Sequence, residues 1–216
     1  LDTTVPFGPK VGLLSDSGTD GADKITKVGT VTVDLVETGA TWDYSTDNGS
    51  TWAAGSGSSF SVSGDGVKTV LVRQTDVAGN TSQATTYSFT LDTTAGAPVV
   101  GLGSDTGSSA TDGITKDGTL SLTGTENGSL IEYSVDGGKS WSTTFSAIEG
   151  GNTVLVRQTD IAGNTSQATT YSFTLDTTVP FGPKVGLLSD SGTDGADKIT
   201  KVGTVTVDLV ETGATW

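Results

Sequence analysis

The chain has 216 residues, 33% of them hydrophobic, and 31 glycines; that is apolar material for several small cores and a turn content that favours strands over long helices. Its formal charge of −14, from 25 acidic against 11 basic residues, repels phosphate backbones and anionic lipid and attracts cations, which argues against nucleic-acid partners and membrane insertion. Histidine and cysteine are both absent, removing the commonest general base, thiolate metal sites and disulfide staples.

Internal repetition organises the rest. Leu-Asp-Thr-Thr begins at Leu1, Leu91 and Leu175; residues 175–216 reproduce residues 1–42 without a change, and residues 70–94 match residues 154–178 except that Val77 becomes Ile161. A period this long is a whole domain per repeat, because shorter solenoid units cannot bury a core alone. The expected domains are 1–91, 92–175 and an incomplete third repeat, 176–216, which carries first strands only and offers sheet edges that could promote artificial contacts between otherwise monomeric chains. No apolar run is long enough to span a bilayer and no signal-peptide pattern opens the chain, so any export signal is expected outside it.

In chain order, the first unit opens on a linker containing Pro6 and Pro9 and then an acidic loop, residues 15–23, that holds Asp16, Asp20 and Asp23. Val31, Val33 and Leu35 alternate with polar residues and predict a half-buried strand. The segment from Tyr44 to Trp52 reads as a hairpin, with Asn48-Gly49 supplying the turn and Asp47 capping it by accepting backbone amides; its pattern resembles the Asp-box hairpin of sialidase-like propellers, where it is structural. Trp52 and Trp141 are expected to pack on the hairpin or core rather than form a sugar platform. Residues 53–68, longer than their counterparts 142–152, are expected to be an edge loop, since a few extra surface residues cost little closure entropy. Residues 69–76 form a further predicted strand, followed by the Asp76-Val77-Ala78-Gly79-Asn80 loop and a strand in which Tyr87, Phe89 and Leu91 alternate with polar residues. The second unit repeats this order, with Leu120 and Leu122, residues 153–160, and Tyr171, Phe173 and Leu175 on the corresponding strands. The resulting expectation is all-β: tandem immunoglobulin-like antiparallel sandwiches of about seven strands each, end to end.

In such a sandwich the first loop lies where the last strand exits, and the loop before the last strand lies at the opposite end, facing the preceding domain. The first junction should therefore gather Asp16, Asp20, Asp23 and Asp92 against Asp160 and Asn164. The second should use Asp105, Asp112 and Asp176, and Asp76 with Asn80 would face whatever precedes the first unit. Carboxylates so close need water, protons or a cation, and oxygen-only donors suit Ca2+ better than magnesium. The alternative is that these residues only make turns and add solubility. The spacing is not that of an EF-hand.

Taken together, Leu-Asp-Thr-Thr at each boundary, Ser104-Asp105 followed by Asp112-Gly113-Ile114-Thr115, Tyr133-Ser134-Val135-Asp136-Gly137-Gly138 and Arg157-Gln158-Thr159-Asp160-Ile161-Ala162-Gly163-Asn164 resemble bacterial Ig-like extender repeats of giant RTX-type adhesins. The first unit departs slightly, with Asp23-Lys24-Ile25-Thr26 in place of Asp-Gly-Ile-Thr. The resemblance implies export by type I secretion, an extracellular place at the bacterial surface, a part in attachment or biofilm formation, and calcium rigidifying the junctions with neighbouring repeats. Two rival classes remain. A binding module for carbohydrate, protein or ice should expose the same aromatic or Thr-rich face in every unit, yet Trp42 is replaced by Ile131. A glycosidase needs two carboxylates across a cleft, and no cleft-forming insertion is present.

Overall fold

The structure is a computed structural model that describes residues 1–208. Among those residues every regular element is a strand, and no helix is long and apolar enough to cross a membrane. Residues Leu1–Leu175 form one compact unit and those from Asp176 a second.

Within the first unit the strands of residues 1–91 pair only with one another, and so do those of residues 92–175. The first repeat contains β1 (Lys10–Leu13), β2 (Ile25–Thr26), β3 (Thr30–Asp34), β4 (Thr41–Ser45), β5 (Ala53–Ala54), β6 (Ser59–Ser61), β7 (Gly66–Thr75) and β8 (Thr85–Leu91). They make two sheets, ordered β1-β3-β6 and β2-β8-β7-β4-β5. The second repeat contains β9 (Val99–Leu102), β10 (Ile114–Thr115), β11 (Leu120–Thr123), β12 (Leu130–Ser134), β13 (Gly150–Thr159) and β14 (Thr169–Leu175), in sheets β11-β9 and β10-β14-β13-β12. Each repeat is thus an Ig-like two-sheet sandwich. The pairing is antiparallel except where β2 runs parallel to β8 and β10 to β14. These exceptions follow from the first loop, which carries the chain out of the β1 sheet into the β8 sheet and sets β2 beside the end of the last strand.

Period-two patterning places the core as expected. Val31 and Val33 of β3, Val70 and Val72 of β7, and Phe89 and Leu91 of β8 are buried, with Leu35 and Tyr87 packed partly against them. Each such side chain removed from water contributes about 1.5–3 kcal/mol. Residues 53–68 are more than an edge loop. They form β5 on the edge beside β4 and β6 on the edge beside β3, and they insert Phe60 into the core. Phe60 stacks on Tyr44 at 4.1 Å, and the Trp42 indole donates to the Gly57 carbonyl at 3.1 Å. Gly55 lies against the same indole so closely that a Cβ there would stand 2.2 Å from it. The longer segment therefore covers the larger side chain. The second repeat has Ile131 and a shorter segment, and Phe145 packs between Tyr133 and Phe173 instead.

In the second unit, β15 (Lys184–Leu187) pairs with β16 (Val205–Asp208) antiparallel, in the same register as β1 with β3. The part of the expected third repeat beyond Asp208 lies outside the described residues.

Candidate cation site at the repeat junction

The linker after β8 is bonded to both repeats. The Asp92 amide donates to the Thr26 carbonyl at 2.9 Å, and the Thr93 amide and hydroxyl donate to Asp65 Oδ1 at 3.0 and 2.7 Å. A few residues on, the Gly96 amide donates to Glu126 Oε1 at 2.9 Å and its carbonyl accepts from Gln158 Nε2 at 2.6 Å. Gln158 is fully buried and also takes the Glu126 amide on Oε1, which fixes the turn carrying Glu126. Thr169 Oγ1 donates to the carbonyl of buried Pro98. Between these anchors little free backbone remains, and Pro98 fixes one further φ.

The same anchors bring three carboxylates together. Asp92 starts the linker, Glu126 stands in the turn between β11 and β12, and Asp160 opens the loop between β13 and β14. One oxygen from each lies within 4.8 Å of the others. Asp160 is buried, and its two oxygens accept the Asn164 amide at 2.7 Å and Asn164 Nδ2 at 2.8 Å. Asn164 Nδ2 also donates to the Asp92 carbonyl at 2.8 Å, so the loop is bonded directly to the linker. Neither ion pair among the described residues, Arg73 with Asp43 or Arg157 with Glu132, involves this group. Burial pushes the Asp92 carboxyl above the ordinary value of 3.8, and the charges of Asp160, Glu126 and Asp65 act in the same direction, against a hydrogen bond from Thr94.

Oxygens bound to one calcium at about 2.4 Å can be no more than about 4.8 Å apart. The Asp92, Glu126 and Asp160 oxygens meet that limit, and the donors are all hard oxygens. The residues fit a calcium ion, which they would hold with further oxygens from water or backbone. Such an ion would supply positive charge.

Glu126 was not anticipated from sequence. The available signal is its recurrence: Val36-Glu37-Thr38-Gly39 and Thr125-Glu126-Asn127-Gly128 keep the Glu and Gly while their neighbours change. Asp2 and Glu37 are the first-repeat counterparts of Asp92 and Glu126. There Asn80 repeats the role of Asn164, donating to both Asp76 Oδ2 at 2.8 Å and the Asp2 carbonyl at 3.2 Å.

The first acidic loop lies beside the exit of β8, but its carboxylates serve the loop itself. Asp16 Oδ2 accepts the Lys24 amide at 2.9 Å, Asp20 the Ala22 amide at 3.0 Å and Asp23 the Ile25 amide at 2.8 Å. None joins the Asp92 group. In the second repeat, Asp105 Oδ2 accepts the Gly113 amide and Asp112 the Ile114 amide. Asp176 accepts the Thr178 amide. The second oxygens of Asp16, Asp105 and Asp190 are buried without a hydrogen-bond partner, the same position in each copy.

The hairpin residues are structural. Asp47 accepts the Ser45 hydroxyl at 2.7 Å and the Thr51 amide at 2.9 Å around Asn48 and Gly49, both at positive φ. Asp136 does the same with Ser134 and Ser140. Trp52 and Trp141 each have a guanidinium over one face, Arg73 at 4.0 Å and Arg157 at 3.9 Å, so that face is not open to a sugar.

Fold and junction define tandem Ig-like sandwiches joined by a short, bonded linker. Residues 94–177 match the family model of the bacterial Ig-like domain. No curated protein matches the chain. Among solved structures it is similar to the fibronectin(III)-like modules of Clostridium thermocellum CbhA, with 11% identity, TM-score 0.40, 77% of this chain and 94% of that one covered. It is also similar to the BSP domain of a biofilm associated protein, with 19% identity and TM-score 0.28 over 80% of this chain and 30% of that one. A third is chicken CNTN1 FN1-FN3, with 15% identity and TM-score 0.27 over 87% and 72%.

Proposed function

We propose that these are extender repeats of a bacterial cell-surface adhesin, exported by type I secretion, which project distal adhesive modules for attachment or biofilm formation. Calcium held by Asp92, Glu126 and Asp160 stiffens the junction between repeats, and rigidity sets how far the array reaches. The observation that carries this reading is the convergence of three carboxylate oxygens within 4.8 Å at a linker bonded to both sandwiches. Supporting it are the bacterial Ig-like match over residues 94–177, the repetition of whole domains, and the guanidinium groups that lie over Trp52 and Trp141. We read the repeats as non-enzymatic structural modules, the typical role of an Ig-like domain.

The test is calorimetric calcium titration of the whole chain and of its Glu126→Gln and Asp160→Asn variants. Wild type should bind calcium and each variant should lose at least about tenfold in affinity, one charged ligand being worth roughly 1.4 kcal/mol or more. Absence of binding at millimolar calcium, or binding unchanged by both substitutions, sinks the calcium reading.

A further inference from the structure

The two repeats also touch at a place where none of the three clustered carboxylates makes the contact itself. Three consecutive carbonyls of the loop between β13 and β14 meet three residues of the first repeat. Gly18 lies flat against the Ile161 carbonyl, where a Cβ would stand 1.9 Å from the oxygen. Ser17 Oγ donates to the Ala162 carbonyl at 2.6 Å, and Lys27 Nζ donates to the Gly163 carbonyl at 2.6 Å. Ser17 Oγ in turn accepts the Lys27 amide at 2.8 Å, so one hydroxyl sets both contacts. We propose that Ser17, Gly18 and Lys27 form a socket that docks the Asp-x-Ala-Gly-Asn loop of the following repeat by its backbone, and that this socket holds the junction closed without any bound cation.

Two observations make this a built feature. First, the socket reads only carbonyls, so the difference between Val77 and Ile161 in the two loops does not disturb it. Asp160 and Asn164 shape the loop by bonding to each other, which presents the carbonyls outward. Second, the pattern of hydroxyl residue, glycine and lysine recurs at Thr106, Gly107 and Lys116, and again at Ser191, Gly192 and Lys201. The internal bond from the Lys amide to the hydroxyl is kept at 2.8 and 2.9 Å. The glycines keep positive φ, at 106°, 116° and 144°. Nothing lies within 4 Å of a Cβ built on Gly107, and Lys116 is exposed. Positive φ alone explains why Gly107 is glycine; at Gly18 the approaching carbonyl demands it a second time.

That pairing supplies an internal control. Gly18→Val and Gly107→Val impose the same backbone strain, yet only the first blocks the loop. Lys27→Met and Lys116→Met remove the same charge, yet only the first removes a bond between repeats. The chain has no cysteine, so Ser88→Cys and Ser172→Cys, at equivalent exposed positions of the two repeats, give unique spin-label sites. Electron–electron distance measurement in excess chelator should show one narrow distance for the labelled parent, Gly107→Val and Lys116→Met. Gly18→Val and Lys27→Met should lose that narrow peak to a broad distribution, while circular dichroism shows both still folded. A broad distribution in the chelated parent, or equal broadening by Gly107→Val and Gly18→Val, overturns the socket. Because every sample lacks calcium, the result is separate from the calorimetric test of the Asp92 group.

Discussion

Asp47, exposed at the hairpin tip, accepts two hydrogen bonds from Thr51 and one from Ser45, and these bonds hold its carboxyl down at about 2. Asp136 is lowered by the matching bonds from Ser140 and Ser134. A carboxylate whose folded value is depressed contributes stability above its unfolded value and loses it as pH falls through the folded one. We therefore expect acid titration to weaken both hairpins between about pH 4 and pH 2. Asp47→Asn with Asp136→Asn should flatten thermal stability against pH across that window, and an unchanged acid slope would show that the bonds carry no linkage. Asp92 has the opposite sign. Its raised value means that ionisation is disfavoured in the fold, so its cost is present above that raised value and is relieved as pH falls toward 3.8. Protons and a cation compete for the same oxygens. The calcium stabilisation proposed for this group, measured as the difference in melting temperature with and without chelator, should consequently shrink as pH drops from 7 toward the ordinary carboxylate range. At this scale the turn chemistry was legible, because Asp, Asn and Gly act on their own neighbours. Glu126 was not, because a glutamate in a loop becomes a candidate ligand only once the chain path brings it to Asp92 and Asp160.

At the scale of elements, the alternation of Val31 with Val33, Val70 with Val72, and Phe89 with Leu91 was readable because a strand's side-chain period is fixed at two. The 53–68 segment was not, since β5 and β6 are only two and three residues long and their edge positions are set by β4 and β3 rather than by local pattern. Their role is visible in Trp42, 4% exposed beneath Gly55 and Gly57. Truncating a buried Trp costs about 3–5 kcal/mol because the surrounding structure closes only partly over the cavity. Trp42→Ala should destabilise the first repeat by that amount in urea denaturation and leave the second repeat's transition in place. A change in Gly55 to any larger residue should act in the same direction, since its Cβ would enter the indole ring. The pairing of a long segment with Trp42, and of a short one with Ile131, then reads as one compensated change in two places.

At the scale of the molecule, the junction between the first two repeats combines contacts with different dependence on solution conditions. Asp92, Glu126 and Asp160 repel one another until a cation or protons intervene, whereas Ser17, Gly18 and Lys27 grip backbone carbonyls at any calcium concentration. A spacer built this way would respond to calcium by becoming stiffer and more stable without unfolding when calcium leaves. Binding to the folded state alone stabilises by about 2.7 kcal/mol at one hundred times the dissociation constant, so the melting temperature of wild type should rise with calcium in this graded manner. Glu126→Gln should gain less from calcium than wild type at every calcium concentration, because removing one of three charges both lowers affinity and relieves the repulsion that calcium would otherwise cancel. Its melting temperature in chelator should equal or exceed that of wild type in chelator. A Glu126→Gln protein that is instead less stable than wild type in chelator would show that Glu126 serves the linker through its bond to the Gly96 amide more than it burdens it with charge.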